Sequence, residues 1–462
     1  MSKLLSNNKL TRALHAPSKL FKFFAESLSL FKKGGVRIKS ALALSYIVSG
    51  AGQVACGQYI KGLLFAVTEV IYIVFMAAWG AGAARGFFTL DTQGVESQYC
   101  LVYGLVSFFL SGVALYCYAA SIKSAAAGAR DLADGKKPPS FVQELKALFH
   151  TRFYVTLLLL PVLGALAFTV VPLLFMVAIA FTNYGNGPGN IIPIMNERYL
   201  SWTGFQSFKS LFSVGDNLTT FLSVLGWTML WAVLATFTCY TGGLFLAMLL
   251  GKKCVKGKAF WRTLFVIVMA TPQFASLRIM YSMFDRRGFI NTMLLQAGII
   301  TERFGFWENA LAAKILIIVI NMWVGIPYFM LLMSGLLANI PQDYYEYAKT
   351  EGASSSYIFK KITFPYIYYL TAPLIITSFV ANINNFNVIY LLTGGGPMGG
   401  SISGVAGQTD ILITWLYKLT MRYNPVYNLG AAVGLVMFII SVVLSLFIYR
   451  RTKSYKNEGD FA

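Results

Sequence analysis

Charged side chains are scarce in this chain. Asp, Glu, Lys and Arg together make up only 12% of its 462 residues, whereas 57% of the residues are hydrophobic. A water-soluble protein of this length carries roughly a quarter of its residues as charges, so the composition excludes an ordinary soluble globular domain. Several apolar runs of about 20 residues are typical of helices that cross a lipid bilayer. The sequence therefore predicts an integral membrane protein.

Residues that build catalytic and metal sites are equally few. The only two histidines, His15 and His150, lie in basic segments, and the five cysteines show neither metal-ligand nor disulfide spacing. This pattern argues against a zinc centre, a Ser-His-Asp triad and a disulfide framework. Gly251-Lys252 is followed by Lys253 and lacks the upstream glycine of a phosphate-binding loop. We therefore expect no enzyme, no cofactor bound by this chain and no ATP hydrolysis by it.

Acidic residues are outnumbered, because 38 Lys and Arg against 18 Asp and Glu give a net charge of +20. Nucleic acid is not an expected partner, since no basic patch interleaved with stacking aromatic residues lies outside the apolar runs. The basic residues cluster instead at 32–39, 123–137, 252–262 and 450–453. By the positive-inside rule these segments face the cytoplasm, which predicts that both termini are cytoplasmic.

The apolar runs predict an all-α integral membrane protein with eight transmembrane helices. The predicted spans are 63–81, 99–120, 153–181, 221–250, 263–284, 311–337, 372–392 and 429–449, and the predicted outer connections are 82–98, 183–220, 285–310 and 393–428. Residues 1–39 predict either an amphipathic helix on the inner lipid surface or a disordered tail. The glycine-rich residues 41–61 predict an interfacial or re-entrant segment. Two regions follow: 1–150, with the first two spans, and 151–462, a core of six spans.

A polar segment, residues 339–365, separates the sixth and seventh apolar runs. Pro341, an acidic first turn and Gly352 predict one short helix, and the serines at 354–356 predict a second helix that ends before Pro365. The segment predicts a helix-turn-helix exposed to water at the membrane surface. An ordinary connecting loop is the alternative.

Two polar clusters interrupt the apolar runs. Asn321, Gly325 and Tyr328 recur at spacings of four and three, on one helix face, and the run 382–387 contains four asparagines. Amides donate and accept hydrogen bonds, as the hydroxyls of a sugar require, and an aromatic ring covers the apolar face of a pyranose. No carboxylate or arginine lies within the clusters, which favours a neutral polar substrate. The alternative is that the asparagines join helices within a bundle.

Residues of the 339–365 segment resemble the coupling loop of the membrane subunits of ATP-binding-cassette importers. The matching pattern is a Glu, small residues, a Gly six positions after the Glu, and a later Ile and Pro; Tyr347 stands where that family most often has a second Ala. With the two polar clusters and the run Tyr390-Leu-Leu-Thr-Gly-Gly-Gly-Pro, the chain from about Phe153 onward resembles the larger permease subunit of maltose and maltodextrin importers.

The resemblance implies roles for particular residues. Sugar contacts are expected from Asn321, Gly325, Tyr328, Asn382 and Asn385, and contacts with an ATPase subunit are expected from Glu346, Ala348 and Gly352. Ala381 departs from an aromatic contact of that family, and Met269 and Gln273 stand where a Tyr and a Ser contribute. The external segment 183–220 is shorter than in that relative, which leaves less surface for a binding protein.

The resemblance also implies partners in a bacterial cytoplasmic membrane. They are a second homologous permease subunit, two ATPase subunits that hold ATP and magnesium, and an extracytoplasmic sugar-binding protein. Pro272, Pro327 and Pro373 are expected to break helices beside the sugar. The alternative function is a secondary transporter or channel for a small neutral polar solute. Such a protein more often has ionisable residues within its spans for a coupling ion, whereas Glu69 is the one clear carboxylate within the predicted spans and lies outside the two polar clusters.

Overall fold

A computed structural model describes residues 43–90, 97–185, 200–213, 216–252, 254–399, 404–422 and 424–451. The described chain divides into two compact units, Met1–Ala178 with Pro193–Ser201, and Ile179–Ile192 with Trp202–Ala462. The amphipathic helix predicted for 1–39 lies outside the described residues, and the functional division between 1–150 and 151–462 stays a prediction.

The described residues form helices joined by short connections. From the amino-terminal end these are α1 Ala51–Ala55, α2 Tyr59–Thr89, α3 Ser97–Ala133, α4 Phe141–Phe149 and α5 Phe153–Ala180. They continue with α6 Gln206–Phe212, α7 Asp216–Gly251, α8 Lys258–Ala270, α9 Gln273–Met283, α10 Phe289–Gln296, α11 Ala310–Ala338, α12 Gln342–Thr350, α13 Ser355–Ile358, α14 Phe364–Ile383, α15 Phe386–Thr393, α16 Leu412–Met421 and α17 Tyr427–Arg451.

The all-α membrane fold is confirmed. Seven helices in the described ranges are long and apolar enough to cross a membrane, and α8 with α9, bent by 95°, is the eighth if the pair counts as one span. The helix that contains the predicted span 63–81 is longer than that span, because α2 continues to Thr89. Gly104 of α3 leaves room for the ring of Phe87, so packing against α3 favours the extra turns.

The glycine-rich segment before α2 does not span a membrane by itself, since α1 has only five residues. Gly50 has a φ of +89° and lies against the backbone of Gly62, where a side chain would not fit. Gln53 is fully buried and donates a 2.7 Å hydrogen bond from Nε2 to the carbonyl oxygen of Ser121. The glycines thus permit a compact, protein-packed segment.

Only one of three predicted proline breaks is present. Pro272 separates α8 from α9, as predicted. The predictions for Pro327 and Pro373 are wrong, because α11 and α14 continue through them. A proline removes one helical hydrogen bond, and membrane helices tolerate that loss where neighbouring groups compensate. The predicted span 372–392 is interrupted instead between Ile383 and Phe386.

The second predicted helix of the 339–365 segment does not end before Pro365. After α13, a π-helical turn at Phe359–Thr363 leads directly into α14. Pro365 is the second residue of α14, directly after the π-helical turn. The segment is therefore continuous with the next membrane helix.

Packing of α7 against α11 forms the centre of the second unit. Gly243 of α7 lies against the Phe329 side chain and the Met330 backbone, and Gly242 lies against the Ile326 side chain. Two adjacent glycines let the helix backbones approach closely, as small residues do at membrane-helix interfaces. The fixed α7 and α11 pair provides two walls of the cavity described next.

Candidate functional site: an amide-lined cavity and an exposed connecting segment

A cavity of about 550 Å³ in the second unit contains all five residues predicted to contact a sugar. Asn321, Gly325 and Tyr328 come from α11, Asn382 comes from the last turn of α14, and Asn385 comes from the break between α14 and α15. The remaining lining residues are Cys239, Gln273, Val324, Phe329, Ser378, Ala381, Asn384, Phe386 and Asn387. No lining residue is Asp, Glu, Lys, Arg or His, so the cavity is polar without being charged.

Asn321, Gly325 and Tyr328 of α11 all line the cavity and therefore lie on one face of this helix, as their spacing in the sequence predicts. Asn321 is buried, and its Nδ2 lies 3.5 Å from the Cys239 sulfur on α7. A Cβ at Gly325 would lie 2.6 Å from the same sulfur, so glycine here permits α7 and α11 to approach. Tyr328 is 44% exposed and lines the cavity, whereas Phe329, the other aromatic lining residue of α11, is buried.

The opposite wall is formed by the asparagine-rich run, whose amides bond to one another and to α7. Asn385 caps α15, and its Nδ2 donates to Asn382 Oδ1 over 3.2 Å. The Nδ2 of Asn382 donates to Thr236 Oγ1 over 3.0 Å, and its carbonyl oxygen accepts from Trp231 Nε1 over 3.0 Å. These bonds fix the position of the break that interrupts the predicted span.

The two helix breaks meet at the cavity. Asn387, in the first turn of α15, donates from Nδ2 to Oε1 of Gln273, the first residue of α9, over 3.2 Å. Gln273 therefore lines the cavity although it departs from the expected Ser. Met269 does not line it, and Ala381 lines it without an aromatic ring. The sequence prediction missed Trp231 and Thr236, whose partner Asn382 is about 150 positions away in the chain.

The predicted coupling residues lie together at the turn between α12 and α13. Gly352 has a φ of +75°, its N–H donates to Lys349, and the N–H of Ala353 donates to Ala348 over 2.9 Å. This pair of bonds is a Schellman C-cap, which requires the left-handed conformation that glycine adopts without strain. Ser354 then caps α13 by accepting from the Tyr357 N–H. The predicted stop and start signals are thus present.

One face of this turn is anchored and the other is open. Tyr345 shares a 3.1 Å hydrogen bond with Thr363, and Ile340 and Ile367 are buried against α7 and α11. Glu346 and Gly352 are exposed, Ala348 is half-buried, and a Cβ at Gly352 would meet no atom within 4 Å. Exposed tyrosines surround the turn at positions 344, 347 and 357. The open face thus combines aromatic rings with a carboxylate.

An uncharged polar cavity among broken membrane-spanning helices defines a class of protein, the membrane permeases, because broken helices and buried amides serve to bind a solute within the bilayer. Residues 241–453 match the family described as binding-protein-dependent transport system inner membrane component. The chain is 34% identical to the galactooligosaccharides transport system permease protein GanP of Bacillus subtilis, over 91% of this chain and 99% of that one. It belongs to this family of transport permeases.

Two further relatives are named as permease proteins of maltodextrin or maltose/maltodextrin transport systems. Identity is 32% with the maltodextrin transport system permease protein MalC of Streptococcus pneumoniae, over 91% of this chain and 97% of that one. Identity is also 32% with the maltose/maltodextrin transport system permease protein MalF of Escherichia coli, over 56% of this chain and 51% of that one. The resemblance to importer permeases is confirmed, but its predicted start near Phe153 is too late for GanP and MalC. The alternative of a secondary transporter or channel is not favoured.

A solved structure shares the fold. A bacterial ABC transporter involved in the import of the acidic polysaccharide alginate has a TM-score of 0.51 at 18% identity, covering 67% of this chain and 98% of that one. At this identity the similarity concerns the fold alone.

Proposed function

We propose that this chain is the permease subunit of an ATP-driven importer for an uncharged oligosaccharide, either maltose and maltodextrins or galactooligosaccharides. The observation that carries the proposal is the cavity, which is lined by amides from two helix breaks and from α11 and by the ring of Tyr328. Its volume of about 550 Å³ falls within the usual range of small-molecule sites. Amides bind hydroxyls in either direction, and the absence of charge from the lining favours a neutral sugar.

The partners in this proposal are a second homologous permease subunit, two ATPase subunits that bind ATP and magnesium, and an extracytoplasmic sugar-binding protein. The open face around Gly352 supports the ATPase contact, because Glu346 offers a carboxylate to a basic group and the tyrosines offer apolar area. Both termini and the 339–365 segment would then lie on the cytoplasmic side of a bacterial membrane, as the basic loops favour.

Purification of the chain in mild detergent tests the proposal. We expect two ATPase subunits and a second permease to co-purify, and we expect their ATPase rate in proteoliposomes to rise when maltose or a galactooligosaccharide is added with the binding protein. Purification of the chain without an ATPase would contradict the proposed energy source. ATPase activity insensitive to both kinds of sugar would contradict the proposed substrate.

A variant of Tyr328 tests the cavity itself. Tyr328→Ala removes the exposed ring from the α11 wall, and we expect sugar uptake to fall about tenfold, because an aromatic ring contributes on the order of 1 kcal/mol beyond its buried area. Trp323→Ala is the matched control, since Trp323 is an exposed ring of the same helix that does not line the cavity. Equal loss in both variants would assign the effect to α11 stability.

A further inference from the structure

Two aromatic rings of α15 and one of α16 form a cluster next to the cavity. Phe386 lines the cavity, and Tyr390, one helical turn further along, stacks on it with ring centroids 4.8 Å apart. Tyr417 of α16 meets both rings edge to face, at 5.0 Å from Phe386 and 5.1 Å from Tyr390. The run that begins at Tyr390 is part of the family resemblance, but neither the resemblance nor the proposed sugar contacts give this cluster a role in binding a sugar.

The cluster lies on the open face of α15. Val388, Ile389 and Leu392 form the buried face of this helix, whereas Tyr390 is 37% exposed. Tyrosine suits a ligand that is apolar on one face and polar at its edge, because the ring and the hydroxyl provide both kinds of contact.

Polar groups accompany the rings. Asn387 follows Phe386 directly, and its hydrogen bond with Gln273 places two amides at the boundary between the cavity and the aromatic cluster. The cavity presents amides beside the Tyr328 ring, so the same combination of amide and exposed ring occurs twice within the second unit. Tyr390 follows Asn385 by five residues, a rise of roughly 7 Å along the helix.

We infer that Tyr390 and Tyr417 form a second saccharide subsite, which stacks a further pyranose ring of a chain whose first rings occupy the amide-lined cavity. The substrate class is therefore an oligosaccharide of three or more rings rather than a disaccharide alone. Gln273 and Asn387 contact hydroxyl groups where the chain passes from the cavity to the subsite. This inference rests on the proposed function and extends it outward along α15.

The test compares uptake of two sugar lengths in cells whose chromosomal gene carries each variant. The probes are radiolabelled maltose and maltotetraose, or the β-galactoside disaccharide and tetrasaccharide if the wild type transports that series. For Tyr390→Leu and Tyr417→Leu, which remove the rings and retain apolar volume, we expect tetrasaccharide uptake to fall about tenfold and disaccharide uptake to change less than twofold. Tyr390→Phe retains the ring and should show the smaller loss.

Tyr154→Leu is the matched control, since Tyr154 is 62% exposed on α5, in the first unit, and should alter neither uptake. Equal losses for both lengths, or no loss, would overturn the inference. It would also be overturned by a wild type that transports only the disaccharide, or by failure of both leucine variants to accumulate in the membrane, which would make the rings structural. Absence of all saccharide uptake by the wild type would instead contradict the proposed function.

Discussion

The amide-lined cavity and the 339–365 segment use polar residues in opposite ways. In the cavity, Asn385 donates a hydrogen bond to Asn382, and Asn382 donates one to Thr236, so much of the hydrogen-bonding capacity of these amides is satisfied within the chain. In the 339–365 segment, Glu346 is exposed and has no ion-pair partner among the described residues. A cavity wall whose amides are already hydrogen-bonded keeps its shape without a ligand, whereas an exposed carboxylate without a partner is available to bind another molecule.

A polar cluster within an apolar sequence can serve more than one purpose. The asparagines line the cavity and Asn382 also bonds to α7, so a helix-joining role does not exclude the predicted sugar contacts. The hydrogen bonds within the segment 339–365, by contrast, include those of two helix caps and one between Tyr345 and Thr363. Variants of the 339–365 segment should therefore impair uptake, whereas variants of the cavity wall should impair stability or the affinity for sugar.

The largest effect is expected from Gly352→Asp. A residue with a Cβ is strained at a φ of +75°, and the added carboxylate lies on the open face, so uptake should fall at least a hundredfold while the protein remains in the membrane. Uptake and membrane content are the two measurements. Gly257→Asp is the matched control, because Gly257 also has a positive φ, of +66°, and open space around it.

Equal loss of uptake in the two glycine variants would show that backbone strain alone impairs the protein. Normal uptake by Gly352→Asp would remove the coupling role from the 339–365 segment and with it the contrast between the two regions.

A smaller effect is expected from Gly325→Ala in the cavity wall. The new methyl group would crowd the Cys239 sulfur, and overpacking of this kind typically destabilises by about 1–3 kcal/mol. Thermal unfolding of the purified complex measures the loss. Cys239→Ala removes the sulfur, so the double variant should recover most of the stability, and a lack of recovery would show that Gly325 is needed for another reason.

The smallest effect is expected from Trp231→Phe, which retains a large buried ring and removes the hydrogen bond to the Asn382 carbonyl. Loss of one such bond costs about 1 kcal/mol. We expect the sugar concentration for half-maximal uptake to rise a few-fold with an unchanged maximal rate. Trp227→Phe, which loses a bond to Thr409 instead, is the control. A change in maximal rate alone would place the effect on coupling rather than on the cavity.

The sequence predicted the elements that depend on local chemistry. Long apolar runs predicted the spans, and the proline, glycine and serine signals predicted the caps around Gly352, because each depends on a few neighbouring residues. The unbroken helices at Pro327 and Pro373 could not be predicted, since tolerance of a proline depends on packing by distant residues. The same holds for the Trp231 bond, whose partners lie 151 positions apart.

The π-helical turn at Phe359–Thr363 has a mechanical consequence. It joins α13 to α14 without interrupting the helical backbone. One continuous helix therefore runs from Ser355 to Ile383 and is roughly 40 Å long at 1.5 Å per residue. Helical backbone continues through Pro365, and its first interruption is at Asn384 and Asn385, which line the cavity. In the proposed importer, a displacement of the 339–365 segment would therefore be carried along one helix to the amides of the cavity.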